Sequence, residues 1–246
     1  MTNLRRFLVT SSLKQKRASV FLTPKETHHL KDVLHIREGN QCLLFDPEGN
    51  ECVGQVESFT ENGSAEIKVL EFLSTKHVEA VLLSVAQAIP QDRKMDDIVR
   101  KSAELGIYEL IPLTTERTIV RIKKEQLGKT AERWQRILTQ AAKQSRISRL
   151  PQIKWLTSFD DLTSQFTEYD QVFMLHPSPE SKPIRESKVK AGKTLLMIGP
   201  EGGFSGEEAS QAHEKGAQLI SLGSGIMRTD TAFVAAASFF KFMGES

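Results

Sequence analysis

Two glycine-rich segments are the parts of this sequence best suited to chemistry. IGPEGGF (198–204) and LGSGIMRTDTA (222–232) each follow an apolar run directly. Glycines at such places let a ligand approach the backbone and leave amide N–H groups free as donors. In an open α/β sheet, ligands sit beyond the carboxyl ends of the strands. A plain strand-to-helix turn accounts for part of the first segment, because Ser205 and Glu208 form a capping-box pattern. It does not account for Gly199-Pro200-Glu201-Gly202-Gly203 before it. No GxxxxGK[ST] is present, which excludes a P-loop, and neither segment reads GxGxxG early in the chain, which disfavours a dinucleotide site. Glu201 would repel a diphosphate placed beside it. A cationic or zwitterionic cofactor suits the segment better. S-adenosylmethionine, with its sulfonium and free amino acid, is one such ligand.

The elements that must position these segments come from periodicity and punctuation. VLLSVAQAI (81–89), IYELIPL (107–113), QVFML (171–175), TLLMI (194–198) and QLISL (218–222) read as buried strands. Helices are expected over 92–105, 125–146, 205–215 and 229–242. Strands alternating with helices predict a parallel sheet covered on both faces. Before residue 73 the texture differs. Short strands at 43–45, 53–56 and 65–69 are separated by DPEGN and ENGS, with a helix over 24–33. That pattern suits a small β-barrel or sandwich. The expected division is 1–72 for the β domain and 73–246 for the α/β domain.

Composition is ordinary, with 39% hydrophobic and 26% charged residues and a net charge of +2. The charge is unevenly placed. Residues 1–37 carry 8 basic against 2 acidic side chains, and residues 117–154 carry 11 against 2. Blocks of this kind suit a polyanion. On the helix 125–146, Lys129, Arg133, Arg136 and Lys143 fall within one arc with no acid among them. Leu127, Trp134, Ile137 and Leu138 fall on the other side. A charged outer face is the plainer explanation of such a stripe. No secretory signal is visible and no apolar run approaches the length of a membrane span, so the expected compartment is the cytoplasm. Cys42 and Cys52 flank DPEGN and are expected to face each other across a hairpin as free thiols, since a metal site needs more ligands nearby.

Taken together, IGPEGGFSGEE and LGSGIMRTDTA resemble the paired signature of the SPOUT-class methyltransferases. More narrowly, they resemble the bacterial small-subunit (16S) ribosomal RNA uracil-N3 methyltransferase family. The resemblance extends to RRF (5–7), His29 with Val33-Leu34, RKMDDIVRKSAELGIYELIPLTTERT (93–118) and ERWQRILTQAAKQSRISRLPQI (132–153). Asp230 stands where that pattern usually has Glu, and Met227 where it has Leu. The resemblance implies a PUA-like β-barrel followed by an α/β domain whose C-terminal chain is threaded into a trefoil knot. It also implies a homodimer, 16S rRNA or the small ribosomal subunit as partner, no membrane and no metal.

The implied reaction moves a methyl group to uridine N3. That nitrogen carries a proton and is a poor nucleophile until the proton leaves, so a base or an anion-stabilising cation is needed. The target base must also be unpaired, because N3 lies on its pairing edge. Arg228 is the first candidate to stabilise the anion or orient the ring; tying the loop to a carboxylate is its alternative role. Asp230 is the candidate base. The cofactor residues are expected to be Leu175, Ile198, Gly199, Pro200, Glu201, Gly202, Leu222, Gly223, Ile226 and Met227. Glu201 either faces the methionine moiety or orders the loop. RNA contacts are assigned to Arg5, Arg6, Arg17, Lys94, Lys101, Arg133, Arg136 and Arg146; for Lys101 an ion pair with Glu104 is the alternative. Two other functions fit the same sequence. One is a related enzyme methylating a ribose 2′-hydroxyl or a tRNA base. The other is a non-catalytic RNA-binding assembly factor.

Overall fold

The computed structural model describes residues 4–14, 17–73, 80–145, 147 and 149–243. The chain divides into two compact units, one built from Met1–His77 and Thr139–Leu150, the other from Val78–Leu138 and Pro151–Ser246. Residues 139–150 thus group with the first unit, whereas the division at 72/73 left them in the second.

The first unit contains β1 (Arg6–Leu8), β2 (Ser19–Phe21), α1 (Pro24–His28), β3 (Gln41–Phe45), β4 (Glu51–Phe59) and β5 (Ala65–Leu73). They form a mixed five-stranded sheet in the order β1-β3-β4-β5-β2. Its strands alternate inward apolar and outward polar residues, and Phe7, Val20, Leu44, Val56 and Ile67 share one buried cluster. The expected helix over 24–33 is instead α1, capped by Thr23, followed by a π-helical turn at His29–Val33. It stops at His35, whose φ of +54° cannot continue a right-handed helix.

The DPEGN turn works through Asp46, which is fully buried. Its carboxylate accepts from the backbone N–H of Leu13 (2.8 Å), Glu48 (3.0 Å) and Asn50 (2.8 Å) and from the Asn50 side chain (2.8 Å). Cys42 and Cys52 do not stand directly opposite. Cys42 pairs with Gly54 and Cys52 with Leu44, with the Leu43–Val53 pair between them along the ladder. Both thiols are free and buried, and burial pushes Cys42 up to about 12 and Cys52 up to about 11.

The second unit holds β6 (Val81–Ala88), α2 (Lys94–Glu104), β7 (Glu109–Thr114), most of α3 (Lys124–Ser145), β8 (Gln152–Ile153), β9 (Thr157–Ser158), α4 (Phe159–Ser164), β10 (Gln171–Leu175), β11 (Lys182–Pro183), β12 (Gly192–Ile198), α5 (Gly206–Glu214), β13 (Gln218–Ser221) and α6 (Thr229–Met243). All of its strand pairs are parallel, in the order β11-β13-β10-β12-β6-β7-β8, with β9 also on β7. One face of the sheet packs Ile111, Val172, Met174, Leu195 and Met197 against Phe159 and Leu162 of α4 and Ala209 and Ala212 of α5. The alternate strand residues point the other way, where Phe173 meets Phe240 of α6 with ring centroids 4.6 Å apart. Burial on both faces is why these strands read as continuous apolar runs rather than alternating ones. The helix α4 was not anticipated. Its signal is local: Ser158 caps it by accepting from the Asp161 N–H (3.1 Å).

Asp46→Ala removes one buried carboxylate and strands four donors. It is expected to destabilise the first unit by about 2–4 kcal/mol. Urea unfolding of the full chain, followed by a probe in that unit, checks this.

Candidate active site

Because β10, β12 and β13 are parallel neighbours, their carboxyl ends lie side by side. The chain leaves β12 through 199–205 and β13 through 222–228, so both glycine segments flank the end of β10. Between them is a cavity of about 250 Å³. All ten residues expected to hold a cofactor line it: Leu175, Ile198, Gly199, Pro200, Glu201, Gly202, Leu222, Gly223, Ile226 and Met227. Pro177, Gly203, Ser221, Gly225, Thr229 and Ala232 complete the lining and were not anticipated. Most of the wall is apolar side chain or bare backbone.

The two loops are tied together by one buried cluster. The Gly199 carbonyl accepts from Thr229 Oγ1 at 2.8 Å and from Gln87 Nε2 at 3.4 Å, and Gln87 Nε2 also reaches Thr229 Oγ1 at 3.0 Å. Gln87 is fully buried in the last turn of pairing of β6. A lone amide inside the apolar run VLLSVAQAI was the signal that could have marked it. The glycines have separate reasons. A Cβ on Gly199 would meet the Gly203 backbone at 3.0 Å, so the loop is folded too tightly for a side chain. Gly203 has open space around it but a φ of +67°, which L side chains rarely adopt.

Glu201 does not point a free charge into the cavity. Lys94 donates to it at 2.6 Å and the Gln91 N–H at 3.2 Å. Burial pushes the Glu201 carboxyl up, but the bonds from Lys94 and Gln91 outweigh this and hold it below the usual carboxylate range. These bonds tie the loop to Gln91 and Lys94 while Glu201 also lines the cavity. The repulsion argument drawn from the sequence therefore loses its basis, since the charge is matched by Lys94.

Arg228 lies between two lining residues, Met227 and Thr229, and is exposed. Its guanidinium has no carboxylate partner among the described residues. Its carbonyl accepts from the Ala232 N–H (2.8 Å) and so starts α6. One residue further on, Asp230 keeps one carboxylate oxygen buried with no hydrogen-bond partner among the described residues.

A further cation at this end of the sheet was missed. Arg117 follows β7 and donates to the Gly202 carbonyl at 2.9 Å. The turn carrying it is fixed: Thr115 N–H donates to Thr118 Oγ1 (2.9 Å), and the Glu116 N–H donates to Glu208 (2.8 Å). Glu208 is also the capping-box residue of α5. His176, at the end of β10, is lowered by burial and by the nearby Arg117 charge.

Of the residues assigned to RNA, three are engaged within the protein. Arg6 is buried, ion-paired to Glu51 and stacked over Phe45 at 4.4 Å. Lys94 pairs with Glu201, and Arg133 with Asp96 of α2. Arg5, Arg17 and Arg136 are exposed, Lys101 is half-buried, and Arg146 lies outside the described residues. No Lys101–Glu104 pair occurs. The stripe on α3 is thinned as well, because Lys143 pairs with Glu26 at 2.6 Å. Among the described residues no group of side chains with metal-holding geometry is found, and no helix is long and apolar enough to cross a membrane.

Comparison with known proteins places both units. Residues 78–241 match the RNA methyltransferase domain and residues 22–70 the RNA methyltransferase PUA domain. A ribosomal RNA small subunit methyltransferase E from Synechocystis is 31% identical over 87% of this chain and 70% of its own length. One from Bacillus subtilis is 26% identical over 91% of this chain and 90% of its own. The crystal structure of a ribosomal RNA small subunit methyltransferase E from Neisseria gonorrhoeae, bound to S-adenosyl methionine, superimposes with a TM-score of 0.84 at 28% identity, covering 96% of each chain. The class is thus RNA methyltransferase, and within it the chain belongs to the ribosomal RNA small subunit methyltransferase E family.

The two glycines give a direct check on the loop. Gly199→Asn is expected to cost about 1–3 kcal/mol through overpacking against backbone. Gly203→Asn should cost well under 1 kcal/mol, because Asn tolerates the left-handed region. Equal losses in urea unfolding would mean the loop is not folded as described.

Proposed function

We propose that the protein transfers a methyl group from S-adenosylmethionine to N3 of a specific uridine in 16S rRNA of the small ribosomal subunit. The observation that carries this is a cavity at the carboxyl ends of β10, β12 and β13. It gathers both glycine loops, and Arg228 and Asp230 flank its lining residue Thr229 in sequence. The cradle suits the cofactor. Gly199, Gly202, Gly203, Gly223 and Gly225 all line the cavity, so a ligand meets bare backbone there rather than side chains. The apolar wall from Leu175, Leu222, Ile226 and Met227 suits an adenosine group. When bound, the cofactor supplies an electrophilic methyl on a positive sulfur.

The chain's own residues then meet the needs of the acceptor. Uridine N3 must lose its proton, and the ring becomes anionic as it does. Arg228, with no carboxylate partner among the described residues, stabilises that charge on a carbonyl oxygen of the base. Asp230, as a carboxylate, takes the proton. Gln87 and Thr229 hold the Gly199 carbonyl and so keep the two loops in register around both reactants. The PUA-like first domain binds RNA in this reading. The homodimer and the trefoil knot implied by the family resemblance belong to it too. A second copy on α6 would cover Phe242 and Met243, which α6 leaves exposed.

Labelled-methyl transfer onto small ribosomal subunits from a strain lacking this protein, followed by mass spectrometry of the nucleosides, is expected to yield N3-methyluridine in 16S rRNA. A 2′-O-methyl product, a methylated tRNA, or cofactor binding with no transfer to any RNA would overturn the reading. Arg228→Ala is expected to lower turnover about a hundredfold or more, with cofactor affinity changed only a few-fold. A small drop in turnover would leave Arg228 without a role in charge stabilisation.

A further inference from the structure

The strongest cationic surface among the described residues of the second unit is not the α3 stripe. Residues 117–124 read RTIVRIKK, with no acid between Glu116 and Glu125. They run from the turn beside the cavity to the start of α3, and burial alternates along them. Thr118 is buried and Val120 and Ile122 are half-buried, while Arg117, Ile119, Arg121 and Lys123 are exposed. Ile119 is 71% exposed, which is unusual for a β-branched apolar residue in a segment held down on its other side.

The contrast with the other cations is the argument. Arg133, Lys143 and Lys94 each neutralise a carboxylate. Arg121, Lys123 and Lys124 have no such partner among the described residues. Arg117 spends one N–H on the Gly202 carbonyl and keeps the rest of its fork. A paired cation has already surrendered the interaction that a phosphate would offer, whereas an unpaired one has not. Residues two apart in an extended segment sit about 6.6 Å from each other on the same side. That spacing is comparable to the repeat of a nucleic-acid backbone.

We infer that residues 117–124 are the track on which the RNA backbone leaves the cavity, with Arg117, Arg121 and Lys123 each meeting a phosphate and Ile119 lying against a sugar or base. The inference rests on the proposed function for its ligand, a single RNA strand. Arg117 makes the track continuous with the site, since the residue that starts it is bonded to the loop that lines the cavity.

The test compares two double variants of the full chain that remove the same charge. One is Arg121→Gln with Lys123→Gln; the other is Lys129→Gln with Arg136→Gln on the outer face of α3. Binding to a labelled, unstructured single-stranded RNA is measured across a range of salt. Each phosphate contact contributes about 0.7 to the slope of log affinity against log salt. The track variant is expected to flatten that slope by about 1.4 and the α3 variant by much less, with S-adenosylmethionine affinity of the track variant within about twofold of the parent. Equal flattening by both variants, or none by the track variant, overturns the inference. The two claims fail separately. A parent protein that methylates ribosomal subunits, with a track variant of unchanged slope, sinks the track alone. A flattened slope in a protein that methylates no RNA sinks the proposed reaction alone.

Discussion

The Gly199 carbonyl is the point on which the active end of the molecule depends. It accepts from Thr229 Oγ1 and from Gln87 Nε2, and all three groups are buried. These bonds join the exit of β12, the end of β6 and the first residue of α6, three pieces far apart in sequence. In a low-dielectric interior such bonds are strong when made and costly when one member is missing. Both glycine loops that line the cavity are attached to these pieces. The loop 199–205 continues into the capped α5, and the loop 222–228 ends where Thr229 begins α6. Slack at this junction would let the glycine loops drift apart, and their glycines have no side chains with which to resist.

Charge has been distributed by the same logic of use. The chain's cations divide into those that hold the protein and those that face outward. Arg6 with Glu51, Lys143 with Glu26, Arg133 with Asp96 and Lys94 with Glu201 all link elements distant in sequence. These pairs are partly or largely buried, so breaking one by removing a single partner leaves a charge uncompensated, and each fixes the orientation of the elements it joins. Among the cations outside these pairs, Arg121, Lys123 and Lys124 have no carboxylate partner among the described residues. A near-neutral total of +2 therefore conceals a local excess of unpaired positive charge beside the cavity.

Much of this was legible in the sequence wherever the cause is local. The α5 start was readable because Ser205 and Glu208 cap each other within one turn, and both capping bonds form. The buried strands were readable because a sheet covered on both faces requires unbroken apolar runs. The cavity lining was readable because glycines after a strand in a parallel sheet fall at one end of it. What could not be read is pairing at a distance. Helical periodicity put Arg133 and Lys143 on an outer arc, but it carries no information about Asp96 or Glu26 approaching from other elements. The two- and three-residue strands β1, β2, β8, β9 and β11 exist only as ladders with their neighbours, so no propensity marks them. Gln87 was visible as a polar residue in an apolar run, yet its partners lie 112 and 142 positions away.

Glu201 shows how far such a gap can mislead. A carboxylate in a glycine loop suggests selection by charge, favouring a cationic ligand over a diphosphate. With Lys94 bonded to it, the pair presents almost no net field to the cavity. Selection must then rest on what remains: backbone donors and acceptors at fixed positions, and an apolar wall. Such a wall ranks ligands by shape and by the loss of any hydrogen bond left unmade. It cannot by itself distinguish a positively charged sulfur from the neutral thioether left after methyl transfer. Discrimination between substrate and product therefore falls to charge, and under the proposed function the candidate is the Asp230 carboxylate, next in sequence to the lining residue Thr229. Such a carboxylate favours the charged cofactor only while it is ionised, so that preference ends when it takes the acceptor's proton.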